Sequence, residues 1–193
     1  MRNVGAIVLA AGGSGRFGQP KQLLAFQGES LVRRAVRAVS AQCSCVVVVV
    51  GDLGAEIEND LSESSATIVL NADWRCGLGT SIRCGLRDLL ASLADLDAVV
   101  IVACDQPFVE SSTIAALIAE RERSGKPIVA SSYANTLGIP ALFDRSCFEE
   151  LLALPDQSGA KAIIESRRDD VASIEFEKGA IDIDTPADFE RLG

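Results

Sequence analysis

The chain has 193 residues, 48% of them hydrophobic and 23% charged, with 27 acidic and 18 basic side chains for a formal charge of −9. This composition describes one globular domain over residues 1–193, large enough for a substantial core, and it excludes binding to nucleic acid over a broad surface. There is no histidine, which removes Ser-His-Asp and Cys-His nucleophiles and mixed Cys/His zinc sites, so any catalysis falls to lysine, arginine, carboxylate and metal.

Met1 to Gly5 pass directly into a short apolar run. Neither a signal peptide nor the roughly 20 apolar residues of a membrane span is expected, and the expectation is a cytoplasmic protein with no membrane partner. Val4 to Ala10 reads as a fully buried strand, followed by a glycine-rich turn. Ser30 is placed to N-cap a helix through Ala41 with Leu31, Ala35 and Val39 on its apolar stripe. Arg33, Arg34 and Arg37 are then a solvated basic face. Cys45 to Val50, with five consecutive valines, is the composition of a parallel strand covered on both faces.

A short helix from Gly54 to Leu61 and a strand from Thr67 to Leu70 come next. Thr80 or Ser81 opens a longer helix to Leu93, carried by Ile82, Leu86, Leu89, Leu90 and Leu93. Ala98 to Ala103 is a further apolar strand, ending in Cys104-Asp105-Gln106-Pro107. A helix over Ser112–Ser124 leads to a strand at Pro127–Ser131 and, after an irregular stretch, to a strand at Gly138–Phe143. Helices over Cys147–Leu154 and Gly159–Ser166, strands over Val171–Phe176 and Ala180–Ile183, and a helix after Thr185-Pro186 complete the chain. Buried strands alternating with helices define an α/β layered domain with a mostly parallel sheet, whose ligand site lies beyond the carboxyl ends of the strands.

Three stretches fall at that edge: the turn after the first strand, Asn71 to Ser81, and Asp105. The turn holds Gly12, Gly13, Ser14, Gly15 and Gly18 with Arg16 and Lys21, and residues Met1 to Ser40 carry six basic side chains against one acid. Glycines let successive backbone N–H groups converge on an anion, and the two cations add charge around that nest, so the turn is a phosphate grip. Gly13 to Gly18 also matches GxGxxG, which raises an NAD(P)-dependent oxidoreductase; Pro20 opposes it, because the helix of a dinucleotide site begins inside its glycines. Walker A requires Gly-Lys-Ser/Thr, and Gly18-Gln19 and Lys21-Gln22 do not supply it. The six cysteines form no CxxC pair and are expected to be free, mostly buried thiols.

Leu9-Ala10-Ala11-Gly12-Gly13-Ser14-Gly15-Arg16-Phe17-Gly18-Gln19-Pro20-Lys21 resembles the LAAGxSxRxGxxK signature of nucleotidyltransferases. With Asn71-Ala72-Asp73-Trp74, Gly77-Leu78-Gly79-Thr80-Ser81, Asp105-Gln106-Pro107, Gly138-Ile139-Pro140 and Asp182-Ile183-Asp184-Thr185-Pro186, the chain is similar to the MobA-like NTP transferases over its whole length, most of all to molybdenum cofactor cytidylyltransferases. The resemblance implies a single three-layer αβα Rossmann-like nucleotidyltransferase domain that uses Mg²⁺. It implies transfer of CMP from CTP to a phosphorylated small molecule, the molybdopterin cofactor, with a molybdoenzyme as a further partner. A sugar or polyol phosphate as acceptor, and a non-catalytic NTP-binding module, are the alternatives.

On this resemblance Leu9, Ala10, Ala11, Gly12, Gly13, Ser14, Gly15, Arg16, Lys21, Asn71, Gly77 and Ser81 bind the nucleotide, and Arg16 and Lys21 are the catalytic cations. Asp105 and Asp184 hold the metal, with Asp182 as the alternative to Asp184. Asp105 has its own physical argument, since a carboxylate at a strand's carboxyl end leaves metal positions open for triphosphate oxygens. Thr80 and Ser81 also read as helix caps, Thr185-Pro186 also reads as a helix start, and Trp74 is either a lid or a core anchor. Asp156 to Lys161 resembles an acceptor-side segment with loosened spacing, and Gly138-Ile139-Pro140 lacks the histidine often found there in the cytidylyl branch.

Overall fold

The structure, a computed structural model, describes residues 3–13, 20–183 and 185–191. In chain order its elements are β1 (Val4–Ala10), β2 (Ala25–Phe26), β3 (Glu29–Ser30), α1 (Leu31–Ser40), β4 (Cys45–Val50), α2 (Gly54–Asp60), β5 (Thr67–Leu70), α3 (Leu78–Ser92), β6 (Ala98–Ala103), α4 (Ser111–Ser124), β7 (Ile128–Tyr133), β8 (Thr136–Asp144), α5 (Phe148–Leu152), α6 (Ala160–Ser166), β9 (Val171–Glu175) and α7 (Pro186–Glu190). Seven strands form one sheet in the order β5-β4-β1-β6-β8-β7-β9. Only β8 runs against the others, antiparallel to both β6 and β7. The sheet is mostly parallel, as expected.

Side chains alternate across each strand, so β1 feeds two cores. Ala6, Val8 and Ala10 pack with Val32, Ala35 and Val39 of α1, Ile57 of α2, and Ile114 and Leu117 of α4. Ile7 and Leu9 pack on the opposite face with Ile82, Leu86 and Leu89 of α3, Leu151 of α5 and Ile163 of α6. The result is three layers, helix on sheet on helix. Gly85 lets α3 lie directly on the sheet, since a Cβ there would stand 2.8 Å from Ile7 and 2.9 Å from Val49.

Several expectations need correcting. A two-stranded hairpin, β2–β3, precedes α1, turning at Gln27-Gly28 with positive φ at both residues, the geometry of a two-residue hairpin turn. β8 spans Thr136–Asp144 and pairs with β7 through a second such turn at Ala134-Asn135. The expected strand at Ala180–Ile183 does not form: Glu177–Ala180 is a 3-10 turn, and Ile183 instead buries its side chain with Phe26 and Leu31. α3 begins at Leu78, so Thr80 and Ser81 lie inside its first turn and neither caps it. The helix start at Thr185 is as expected, with a reciprocal capping box between Thr185 and Asp188.

The basic face of α1 is not solvated as a whole. Arg34 is buried, donates from Nε to the Pro107 carbonyl at 2.5 Å, and lies over the Phe26 ring. Arg37 and Arg34 share Glu29, and Arg33 pairs with Asp60. All six cysteines are free, but only Cys104 and Cys147 are fully buried, and Cys76 is exposed.

Candidate active site at the carboxyl ends of β1 and β6

β1 has β4 on one side and β6 on the other. The chain leaves β1 through α1 on one face of the sheet and reaches β6 through α3 on the other, so the helices part above the β1/β6 boundary and leave a crevice. A cavity of about 180 Å³ occupies it. Leu9, Ala11 and Gly12 enter from β1; Ala103, Cys104 and Asp105 from β6; Leu78 and Ser81 from the start of α3; and Ile139 from β8.

Lys21 and Gln22 complete the lining from a 3-10 turn at Lys21–Leu23. Gln22 is 1% exposed, and its Nε2 donates to the carbonyls of Ala10 at 2.9 Å and Gly12 at 2.6 Å. The amide thereby fixes the backbone where the glycine-rich turn leaves β1. Lys21 Nζ stands 2.6 Å from Asp105 Oδ2, with side chains 11% and 22% exposed, so the pair is shielded but opens onto the cavity. Burial, with the Asp105 charge beside it, pushes the neighbouring Cys104 thiol well above its ordinary range. It remains a neutral wall of the cavity, not a nucleophile.

α3 is tied to this site by Asn71, directly after β5. The Asn71 amide donates to Thr80 Oγ1 at 2.8 Å and Ser81 Oγ at 3.0 Å, and its oxygen accepts the Asp73 N–H. Asn71 therefore positions Ser81, and Ser81 faces the cavity. Gly77 has φ +136°, and a Cβ there would lie 2.2 Å from the Asp156 carbonyl oxygen; one on Gly79 would lie 2.2 Å from that of Pro155. These two glycines exist to admit another stretch of backbone. The Gly79 N–H donates to the Asp156 carbonyl, and Arg83 reaches both the Leu154 carbonyl and Asp156. The loop at 155–158 is thus bolted to the first turns of α3.

Trp74 is half-buried and packs against the core on the α3 face of the sheet, which favours the anchor over the lid. Its ring rests on Gly51 and Gly13, where added Cβ atoms would meet it at 2.9 Å and 3.1 Å. Its indole N–H donates to Asp52, and Arg75 lies over the ring while pairing with the same carboxylate. On the far side, the Ile183 N–H donates to the Asp105 carbonyl at 3.0 Å, bringing the C-terminal segment alongside Asp105. Gln106, 5% exposed, donates from Nε2 to the carbonyls of Ile139 and Gly179 and so anchors the Asp105 turn to β8. Burial, reinforced by the Asp182 charge, pushes the Tyr133 phenol up.

Of the residues expected to bind nucleotide, Leu9, Ala11, Gly12, Lys21 and Ser81 share one cavity with Asp105. Ala10 contributes the carbonyl held by Gln22, Gly13 lies beneath Trp74, Asn71 acts through Ser81, and Gly77 seats the loop at 155–158. Ser14, Gly15, Arg16 and Asp184 lie outside the described residues. Gln22, Leu78, Cys104 and Ile139 were not singled out individually by sequence, although Leu78, Cys104 and Ile139 fall inside stretches that were. Gln22 has no local signal, because its partners are backbone carbonyls.

No set of three or more cysteine, aspartate or glutamate side chains among the described residues is arranged to hold a metal ion. The Asp105 carboxylate already holds a cation in the Lys21 ammonium, and one carboxylate with triphosphate oxygens and water is a normal Mg²⁺ ligand set, so the donor chemistry fits a divalent ion brought by a nucleotide. No helix among the described residues is long and apolar enough to cross a membrane.

A Rossmann-like α/β fold with a lysine and a carboxylate in the crevice at its switch point is the layout of a nucleotide-handling protein. Pro20 is followed by a 3-10 turn and the β2–β3 hairpin, so among the described residues the first long helix begins at Leu31, which is not the layout of a dinucleotide site. Residues 6–171 match the MobA-like NTP transferase domain, and the chain belongs to that family of nucleotidyltransferases. It is 27% identical to the purine catabolism protein PucB of Bacillus subtilis, over 96% of this chain and 94% of that one. It is 24% identical to the molybdenum cofactor cytidylyltransferase of Escherichia coli, over 98% and 95%. Among solved structures it is similar to Rv0371c of Mycobacterium tuberculosis, with a TM-score of 0.82 and 25% identity over 98% and 97% of the chains. That protein has also been solved in complex with manganese.

Proposed function

We propose that this protein, acting as one domain, transfers CMP from CTP to the terminal phosphate of the molybdopterin cofactor and releases pyrophosphate, with Mg²⁺ as its metal. The observation that carries the reading is the crevice itself, where Leu9, Ala11, Gly12, Lys21, Ser81 and Asp105 line one cavity. An acceptor phosphate is already ionised at neutral pH, so no protein nucleophile or general base is needed and catalysis reduces to positioning and charge stabilisation. The turn from Leu9 to Gly15 wraps the triphosphate, Arg16 and Lys21 neutralise charge developing on the α-phosphate and the departing pyrophosphate, and Ser81, held by Asn71, hydrogen-bonds the nucleoside. Gly77 contributes by seating the acceptor-side loop. Asp105 and Asp184 would hold the metal, which when bound neutralises the phosphate oxygens and aligns them for in-line displacement.

CTP is favoured by Ala10-Ala11, the cytidylyl form of the signature, and by the full-length likeness to a cytidylyltransferase. Molybdopterin and a molybdoenzyme recipient follow from that same likeness. A different phosphorylated acceptor, such as a sugar or polyol phosphate, is the second reading, favoured by Ile139 standing where the cytidylyl branch often has a histidine. Pyrophosphate release measured with each NTP and Mg²⁺ across an acceptor panel decides between them. Release with CTP and molybdopterin, lost in Asp105→Ala, is the expected result. Turnover only with a sugar or polyol phosphate transfers the assignment to the second reading. NTP binding without turnover on any acceptor makes the protein a binding module.

A further inference from the structure

We infer that the Lys21 ammonium keeps the metal's place at Asp105 until a nucleotide arrives, so that metal and nucleotide enter together and Lys21 passes from the carboxylate to the triphosphate as they do. This rests on the metal-dependent transfer proposed above and adds an order of binding to it. No covalent bond forms or breaks; two cations exchange partners.

The argument begins with space. Lys21 Nζ is 2.6 Å from Asp105 Oδ2, inside a crevice where the two side chains are 11% and 22% exposed. A Mg²⁺ or Mn²⁺ ion on that carboxylate needs oxygen ligands at about 2.0–2.2 Å, and at such range it and the ammonium repel each other through poorly screened surroundings. One must yield. Among the described residues no group of three or more anionic ligands converges to favour the metal over the ammonium. A triphosphate changes both sides of the contest. Its oxygens complete the metal's ligand set, and its charge gives the displaced ammonium a new anionic partner.

The side chain is built to make the move. Gln22 pins the adjoining backbone to the Ala10 and Gly12 carbonyls, while Lys21 carries its charge on a flexible four-carbon stem. Lys21 lines the same cavity as Ala11 and Gly12, so the turn that grips phosphate is within its own enclosure. Gln106 and the Ile183 N–H hold the Asp105 turn from behind, so the carboxylate stays while the lysine leaves.

The test is Mn²⁺ binding to the whole chain, followed by electron paramagnetic resonance without nucleotide, alongside calorimetry of CTP binding with and without Mn²⁺. Nucleotide-free wild type is expected to bind Mn²⁺ only in the millimolar range, and Lys21→Met to bind it about tenfold more tightly. Lys21→Arg, which keeps the charge, is expected to stay at the wild-type value, and Lys21→Met combined with Asp105→Asn to lose the gain. CTP is expected to bind wild type more tightly with Mn²⁺ than without it. Micromolar Mn²⁺ binding by nucleotide-free wild type overturns the exchange whether or not the variants fold, and so does equal tightening in Lys21→Met and Lys21→Arg. If CTP binds with Mn²⁺ but Lys21→Met leaves nucleotide-free Mn²⁺ binding unchanged, the exchange alone falls. If CTP does not bind even with Mn²⁺, the transfer reading falls and takes the exchange with it.

Discussion

Two sets of ion pairs stand on either side of the β2–β3 hairpin, and they use the same chemistry to opposite ends. On α1, Arg34 meets Glu29, the Pro107 carbonyl and the Phe26 ring, while Glu29 also binds Arg37. Arg34 there is held by three partners and Glu29 by two. In the crevice, Lys21 and Asp105 meet beside an open cavity, on a flexible stem and a backed-up turn. The first set fastens the hairpin and the residue-107 turn to the helix; the second sets its charges beside an open cavity. Ion pairs therefore differ in role according to whether a ligand has room to compete.

The sharpest break of this contrast is Asp105→Ala. On the transfer reading proposed above, loss of the Asp105 carboxylate is expected to lower pyrophosphate release about a thousandfold, equivalent to roughly 4 kcal/mol on the barrier. Melting should shift by only a few degrees, as circular dichroism would register; a large loss of stability would put Asp105 among the fasteners. Gly77→Ala tests the junction between α3 and the loop at 155–158. With φ at +136° and a carbonyl 2.2 Å from the new Cβ, it is expected to cost about 3–4 kcal/mol by urea denaturation, from backbone strain and displacement of the loop.

Arg34→Met should do the reverse of Asp105→Ala, costing about 2–3 kcal/mol of stability because Glu29 and the Pro107 carbonyl lose a buried donor. Its turnover at low temperature is expected to stay near wild type, as paired melting and pyrophosphate assays would record. Glu29→Gln gives the smallest effect and a pH signature. The hydrogen bond from Arg37, aided by the charges of Arg37, Arg34 and Arg33, outweighs burial and holds the Glu29 carboxyl below its ordinary range. Its contribution is therefore present above the unfolded carboxylate value of about 4.3 and is lost as pH falls through the lower folded value. At pH 7 the variant should lose about 1 kcal/mol or less, since Arg37 is largely exposed. Its stability curve should converge on that of wild type in acid.

The parallel half of the sheet was legible to the residue, with the bounds of β1, β4, β5 and β6 read directly from sequence. Strands covered on both faces must be apolar throughout, and an unbroken run such as Val46 to Val50 has no other comfortable place. β2 and β3 have two residues each, too few to show a period, and Ile181-x-Ile183 alternates like a strand although only Ile183 is buried. The lining of the cavity was legible where the expected chemistry names a residue type, as at Gly12, Lys21 and Asp105. It was not legible where a residue serves backbone from a distant segment. Gln22 and Gln106 spend their amides on carbonyls, and Gly77 answers to a loop some eighty positions away. Such demands leave no local pattern.

Trp74 carries a practical consequence. It is the only tryptophan in the chain, and its ring rests on the backbone of Gly13, where the glycine-rich stretch follows β1, while its N–H is engaged by Asp52. Indole emission responds to the polarity and charge around the ring, so this protein comes with its own unlabelled optical probe at the entrance to the crevice, free of background from any second tryptophan.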